Sequence, residues 1–318
     1  MLYILFILGF VILLFGANLL VDGASSLGKK MSLSPIVIGF TIVALGTSLP
    51  ELFINIFASA RGETDLAITN VLGSNIMNTM FIIGAAAFIF PIKPDRKTIN
   101  TLIPISLVSA LALGILANFG LFGFGKENSI NRIEGFILIG FLIGYLYYSW
   151  RYSKTEKDIL SGQTIREFSV GRSVLLVMGG IAGLYFGGNW VVKGAIFIAG
   201  EFGISKALIG ITIVAVATSL PELITSVVAA TKKNSGMALG NALGSNIFNV
   251  FLVLGISSII KPLPFSNNLN FDVGMVIASN LIIFLFIFIG KGKRISKTEG
   301  VSLMVLYLVY VGWLVVRN

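Results

Sequence analysis

Apolar residues run along this chain in stretches of about 20, the length a helix needs to cross a bilayer core. Polar residues collect between those stretches. The pattern predicts ten transmembrane helices, near residues 2–27, 36–60, 66–91, 99–118, 130–150, 172–199, 207–230, 236–260, 271–290 and 299–316. The one long polar interruption, from Arg151 to Arg172, divides them five and five. A first five-helix unit is expected over 1–150, a short cytoplasmic linker over 151–171 and a second five-helix unit over 172–318. The opening apolar run carries neither a basic leader nor a cleavage site, so it reads as a retained first span.

The two halves repeat each other. At a constant offset of 171 residues, positions 36–84 match positions 207–255 with 22 identities in 49 and no gap. The register extends upstream, where Gly16, Asn18, Gly23 and Ala24 meet Gly187, Asn189, Gly194 and Ala195. Such regular self-similarity indicates internal duplication rather than shared apolar composition. Five spans is an odd number, so the second copy must enter the membrane upside down relative to the first. The predicted fold is an all-α polytopic membrane protein of ten helices, built as two inverted-topology repeats of five with helices 2 and 7 broken.

Composition agrees with that class: 56% hydrophobic residues, 12% charged residues and a mean hydropathy of +0.94 lie far from a soluble domain. The chain has no cysteine and no histidine, which excludes disulfides, thiol chemistry and the commonest proton shuttle and transition-metal ligand. A net charge of +9 would suit nucleic acid, but the basic residues sit in loops. Those after the odd-numbered spans hold 16 of the 23 Lys and Arg, among them Lys29, Lys30, Lys93, Arg96, Lys97, Lys232, Lys233, Lys291, Lys293 and Arg294. Retention of these loops in the cytoplasm explains them and puts both termini outside a cell membrane. The expected surroundings are lipid, with no nucleic-acid partner and a monomer as the working unit.

The chemistry sits inside the repeats. Thr47-Ser48-Leu49-Pro50-Glu51 recurs as Thr218-Ser219-Leu220-Pro221-Glu222, each copy within an apolar span. A carboxylate at membrane depth costs a few kcal/mol, on the order of 3, unless it is compensated, so it marks function by default. Each proline lacks an amide hydrogen and frees a carbonyl one turn back, and freed carbonyls are tolerated in a membrane only where they line a cavity or find protein partners. Asn70, Ser74 and Asn78 lie at i, i+4, i+8, as do Asn241, Ser245 and Asn249, which puts three neutral oxygen donors on one face of spans 3 and 8. Carboxylate, hydroxyl and carbonyl oxygen without nitrogen or sulfur is the ligand set of a hard cation such as Ca²⁺ or Na⁺. Two glutamates give the chamber a formal charge of −2, and competition of ions for the same carboxylates favours exchange over leak. Asn18 and Asn189 are expected to bond between helices, and Asp22, Lys193 and Asp272 to lie near the interfaces.

At these residues the chain resembles the Ca²⁺/cation antiporter superfamily, in particular its prokaryotic Na⁺/Ca²⁺ exchangers. Gly39–Gly84 and Gly210–Gly255 look like that family's two α-repeats. The resemblance implies a secondary antiporter with no resident cofactor and no catalytic residue, moving Ca²⁺ against Na⁺ by alternating access as helices 1 and 6 slide against the rest. It implies that Glu51 and Glu222, with the carbonyls of Thr47 and Thr218, hold Ca²⁺. Ala44, Ser48 and Ser74 would form one Na⁺ site and Ala215, Ser219 and Ser245 the other, with Asn78 and Asn249 as a central polar pair. Two positions depart from the family pattern: Ala217 replaces a usual Gly, and Asn249 stands where some exchangers, including the potassium-dependent branch, carry Asp. Three other readings compete. A Ca²⁺/H⁺ antiporter would use the same glutamates. A cation channel fits less well, since its filter usually arises by oligomeric symmetry. An intramembrane hydrolase lacks a nucleophile motif.

Overall fold

The computed structural model describes residues 2–94, 96–119, 128–153, 166–201, 218–289 and 294–317. Within them the chain is helical, in the order α1 (Leu2–Lys30), α2 (Pro35–Thr47), α3 (Leu49–Arg61), α4 (Thr64–Ile89), α5 (Arg96–Ala117), α6 (Arg132–Ser153), α7 (Val170–Glu201), α8 (Leu220–Thr231), α9 (Ser235–Ile260), α10 (Asn270–Ile289) and α11 (Lys297–Arg317). Eight of these are long and apolar enough to cross a membrane, and a ninth span results if α2 and α3, bent by 42° at Ser48, count as one. α8 is a shorter apolar helix. The predicted seventh span begins outside the described residues.

Local sequence sets the boundaries. Ser34 caps α2, its hydroxyl accepting from the Val37 amide, and Pro35 supplies a first helical residue that needs no donor. Asn131 accepts from the amides of Ile133 and Glu134 while the Glu134 carboxylate accepts from the Asn131 amide, a reciprocal cap at the head of α6. Ser296 and Glu299 repeat the device for α11. α3 ends at Gly62 in the left-handed conformation, φ 85°. The equivalent position 171 residues later is Lys233, which adopts φ 58° without glycine's freedom.

Helices α1 and α7 pack along their whole length and run antiparallel. Gly9 lies against Gly187, Gly16 against Gly180 and Gly183, and Gly23 against the Ser173 carbonyl. A methyl group at Gly16 would sit 2.8 Å from the Leu184 nitrogen, so the backbones approach as only small residues allow. α9 is the most buried of the spans; Gly240 and Gly244 let it cross α2 at Ile36 and Phe40. β1 (Ser129–Ile130) pairs antiparallel with β2 (Leu263–Pro264), joining the α5–α6 and α9–α10 connections. Elsewhere Ile92 and Ile295 exchange backbone hydrogen bonds of 3.0 and 2.8 Å, which joins the α4–α5 connection to the α10–α11 connection. Leu263 is the counterpart of Ile92, so each clasp couples the two halves through the matching loop of each.

Some expectations change on contact with the structure. Asn18 and Asn189 donate to Leu14 and Tyr185, one turn back in their own helices, rather than between helices. Asp22 forms an ion pair with Lys232 at 2.7 Å, tying α1 to the end of α8. Asp272 is buried and accepts from the Tyr310 hydroxyl at 2.7 Å. Lys193 is exposed.

Candidate functional site

The site is assembled where two helices begin and two long helices widen. Ser48 interrupts the helix at φ −85°, ψ 2°, and α3 restarts with Pro50 in its first turn and Glu51 beside it. Ser219, at φ −88°, ψ 6°, does the same for α8 with Pro221 and Glu222. Proline fits this position because the first turn has no use for its missing donor. Each carboxylate therefore sits at a helix N-terminus, the positive end of the macrodipole. Thr47 ends the preceding helical segment and offers carbonyls from the negative end. Ala215 and the rest of 202–217 lie outside the described residues.

Glu51 and Glu222 are both 0% exposed. Among the described residues no Lys or Arg pairs with either. The Ser48 hydroxyl donates to Glu222 Oε1 at 3.2 Å, so a residue of the first repeat holds the carboxylate of the second. Glu51 Oε1 and Oε2, Glu222 Oε2, Ser74 Oγ, Ser219 Oγ, Asn249 Oδ1 and both amide atoms of Asn78 are buried without a hydrogen-bond partner among the described residues. An unsatisfied buried polar group costs about 1–3 kcal/mol, more when charged. Most of these atoms belong to residues already singled out as oxygen donors, a set whose chemistry fits a hard cation. Among the described residues no three carboxylates, histidines or cysteines cluster, so neutral oxygens would make up most of the six to eight ligands, roughly, that Ca²⁺ takes.

The structure divides the two Asn-Ser-Asn faces by role. Thr47 Oγ1 donates to Asn241 Oδ1 at 3.1 Å and lies 3.4 Å from Ser245 Oγ. Thr218 Oγ1 donates to Asn70 Oδ1 at 3.2 Å. Asn70 Nδ2 in turn donates to Asn55 Oδ1 at 2.8 Å, and Asn241 Nδ2 to Ser226 Oγ at 2.9 Å. Asn70 and Asn241 are thus spent on bracing each helix break against the other repeat, which corrects the reading of three equivalent donors per face. Ser74, Asn78, Ser245 and Asn249 remain as the candidate oxygen donors of these faces. Ala44 is buried, and its carbonyl lies 3.3 Å from the Thr47 hydroxyl, whose one proton it shares with Asn241 Oδ1.

A wide turn marks each long helix where its Asn faces the site. Met77–Ile82 in α4 and Asn249–Leu254 in α9 are π-helical, as is Gly39–Val43 in α2. An extra residue per turn shifts the side chains beyond it and recurs at functional sites. The sequence carries no sign of these turns. Asn55, Asn75, Thr79, Ser226 and Asn246 are likewise unmarked by charge or by an adjacent proline, although Asn75 and Asn246 are repeat partners.

A family model described as sodium/calcium exchanger protein matches residues 1–151 and 172–316. The chain belongs to the sodium/calcium exchanger family. As a family member it is 36% identical to CaxA of Alkalimonas amylolytica over 315 residues, covering 96% of this chain and 95% of that protein. It is 33% identical to the sodium/calcium exchanger MaX1 of Methanosarcina acetivorans over 347 residues, covering 97% of each. Among solved structures it resembles the sodium-calcium exchanger NCX_Mj, soaked with zero Na⁺ and Ca²⁺, with a TM-score of 0.82 and 31% identity. That match covers 98% of this chain and 97% of the other. The family fold is therefore a helical membrane protein and a transporter.

Proposed function

We propose that this chain is a secondary antiporter that exchanges Ca²⁺ for Na⁺ by alternating access. The observation that carries it is the buried pair Glu51 and Glu222, unpaired by any cation of the described chain and surrounded by unsatisfied neutral oxygens. Two carboxylates balance one Ca²⁺, or several Na⁺ bound in turn. An ion at this depth is sealed from lipid by α4 and α9, whose spans are more than two-thirds buried.

The site assignment is the one the family resemblance implies. Ca²⁺ is held by Glu51 and Glu222 with the carbonyls of Thr47 and Thr218. Na⁺ is held on one side by Ala44, Ser48 and Ser74, and on the other by Ala215, Ser219 and Ser245, with Asn78 and Asn249 between them. Ser48 at Glu222 Oε1 supports this, because a single hydroxyl then touches both kinds of site. Ten spans in two inverted repeats of five is the fold we assign, with α8 as the second half of a broken seventh span. The antiparallel packing of α1 on α7 supports the inversion, since these are the matching first helices of the two repeats. The assigned setting is the plasma membrane, with extracellular termini and a monomer as the transporting unit.

The decisive experiment is ⁴⁵Ca²⁺ uptake into proteoliposomes under imposed Na⁺, H⁺ or K⁺ gradients. A Na⁺ gradient should drive uptake, a H⁺ gradient alone should not, and removal of K⁺ should leave the rate unchanged because Asn249 adds no third charge. Uptake driven by H⁺ without Na⁺ would replace this reading with Ca²⁺/H⁺ exchange through the same glutamates.

A further inference from the structure

The side-chain amides of Asn75, on α4, and Asn249, on α9, fix each other's orientation. Both are buried, at 1% and 0% exposure. Asn75 Nδ2 donates to the backbone carbonyl of Asn246 at 3.4 Å. A backbone carbonyl only accepts, so Asn75 must turn its NH₂ that way and present Oδ1 on the other side. Asn249 Nδ2 donates to that Oδ1 at 3.1 Å. With its NH₂ turned to Asn75, Asn249 is left with Oδ1 as its outward atom, buried and without a partner among the described residues. Asn249 lies one turn beyond Ser245, whose hydroxyl is 3.4 Å from Thr47 Oγ1 at the break in the first repeat.

We infer that Asn75 is a positioning residue for the transported ion: it turns the carbonyl oxygen of Asn249, and not its amide protons, toward the cation. The inference rests on the exchanger reading above. Without Asn75 the amide of Asn249 is free to reverse, and its partly positive NH₂ would then face a cation. The second repeat lacks the arrangement. Asn246, the counterpart of Asn75, gives its Nδ2 to Thr79 Oγ1 at 2.7 Å, and the Thr79 hydroxyl donates to the backbone carbonyl of Asn75 at 2.8 Å. Neither amide atom of Asn78, the counterpart of Asn249, has a protein partner. One amide of the central pair is therefore locked and the other is free to turn, so the two sides of the chamber present unequal ligands.

A double-mutant cycle tests this, because a carboxylate has no wrong way round. Equilibrium ⁴⁵Ca²⁺ binding to the purified protein is measured for the parent, Asn75→Leu, Asn249→Asp and the double variant, with Na⁺-driven flux of the parent measured alongside. Asn75→Leu should weaken Ca²⁺ binding by about three- to tenfold in the parent, the size of one ordinary net hydrogen bond. In the Asn249→Asp background the same change should matter less than about twofold. Equal losses in both backgrounds, or none in the parent, overturn the proposal. If Asn75→Leu does not fold, Asn75→Ala enters the same cycle. If neither folds in either background, Asn75 is scaffold and the proposal is wrong. Binding that follows the cycle in a parent without Na⁺-driven flux would instead remove the exchanger reading and leave this one standing.

Discussion

Two residues carry the chemistry, and their isosteric substitution separates charge from fold. Glu51→Gln or Glu222→Gln keeps shape and hydrogen-bonding capacity but removes one of the two charges that face a divalent ion. Each should lower Ca²⁺ affinity by tenfold or more, on the order of 1.5–3 kcal/mol per charged ligand bond, and reduce flux to background. Monodispersity in detergent should be retained, because among the described residues neither carboxylate pairs with Lys or Arg. Near-normal flux in both variants would remove the central assignment; misfolding of both would make the pair structural. At this scale the sequence was informative in an uneven way. Glu51 and Glu222 stood out because an acid in an apolar span is costly and because it occurred twice at one register. Asn75 and Asn55 did not stand out, since an asparagine beside Ser or Gly reads as ordinary helix packing. Only the contact with Asn249 or Asn70 gives either a role.

At the scale of the element, most of the helices follow from apolar run length and caps, with ends that differ from expectation by a few residues. α1 extends to Lys30 and α7 begins at Val170, because basic and small residues at those ends do not oppose helix. The π turns of α2, α4 and α9 escaped the sequence, since the apolar period on both sides of them is almost undisturbed and the hydrogen-bond shift has no residue signature. Repeat comparison also exposes a strained corner. Lys233 takes the left-handed conformation that Gly62 takes in the first repeat, and that geometry costs a residue with a Cβ about 1–2 kcal/mol. Part of the gain is offset by the greater unfolded-state freedom of glycine. Lys233→Gly should therefore stabilise the protein by about 0.5–1 kcal/mol, read as a higher melting temperature in detergent. An unchanged or lowered temperature would show that the exposed lysine contributes more than its backbone strain costs.

For the whole molecule, the duplication made the architecture legible before any contact was known, while the two clasps that join distant loops were invisible. Two-residue strands such as Ser129–Ile130 and Leu263–Pro264 are too short to leave a periodic pattern. Orientation rests on the basic loops alone and is open to a direct test. A cysteine placed at Ser161 would be the only thiol in the chain, and an impermeant maleimide should label it in everted vesicles but not in intact cells. Strong labelling of intact cells would reverse the orientation and leave the repeat untouched.

The ion pair between Asp22 and Lys232 makes the transporter electrically lopsided. Stepping each partner along the repeat by 171 residues leads from Asp22 to Lys193 and from Lys232 to Arg61, two cations instead of a pair. A conformation with the roles of the halves exchanged would bring α7 toward α3 as α1 now meets α8. It would lose one attraction and gain one repulsion. Each contact is at the surface and contributes no more than about 1 kcal/mol, yet 1 kcal/mol is roughly a fivefold preference between two resting states. Rectification follows: the half-saturating Na⁺ concentration should differ between the two faces of the membrane. Lys193→Asp, which gives Arg61 a partner of its own, should narrow that difference. If the two faces already respond alike in the parent, the charges at these corners do not steer the cycle.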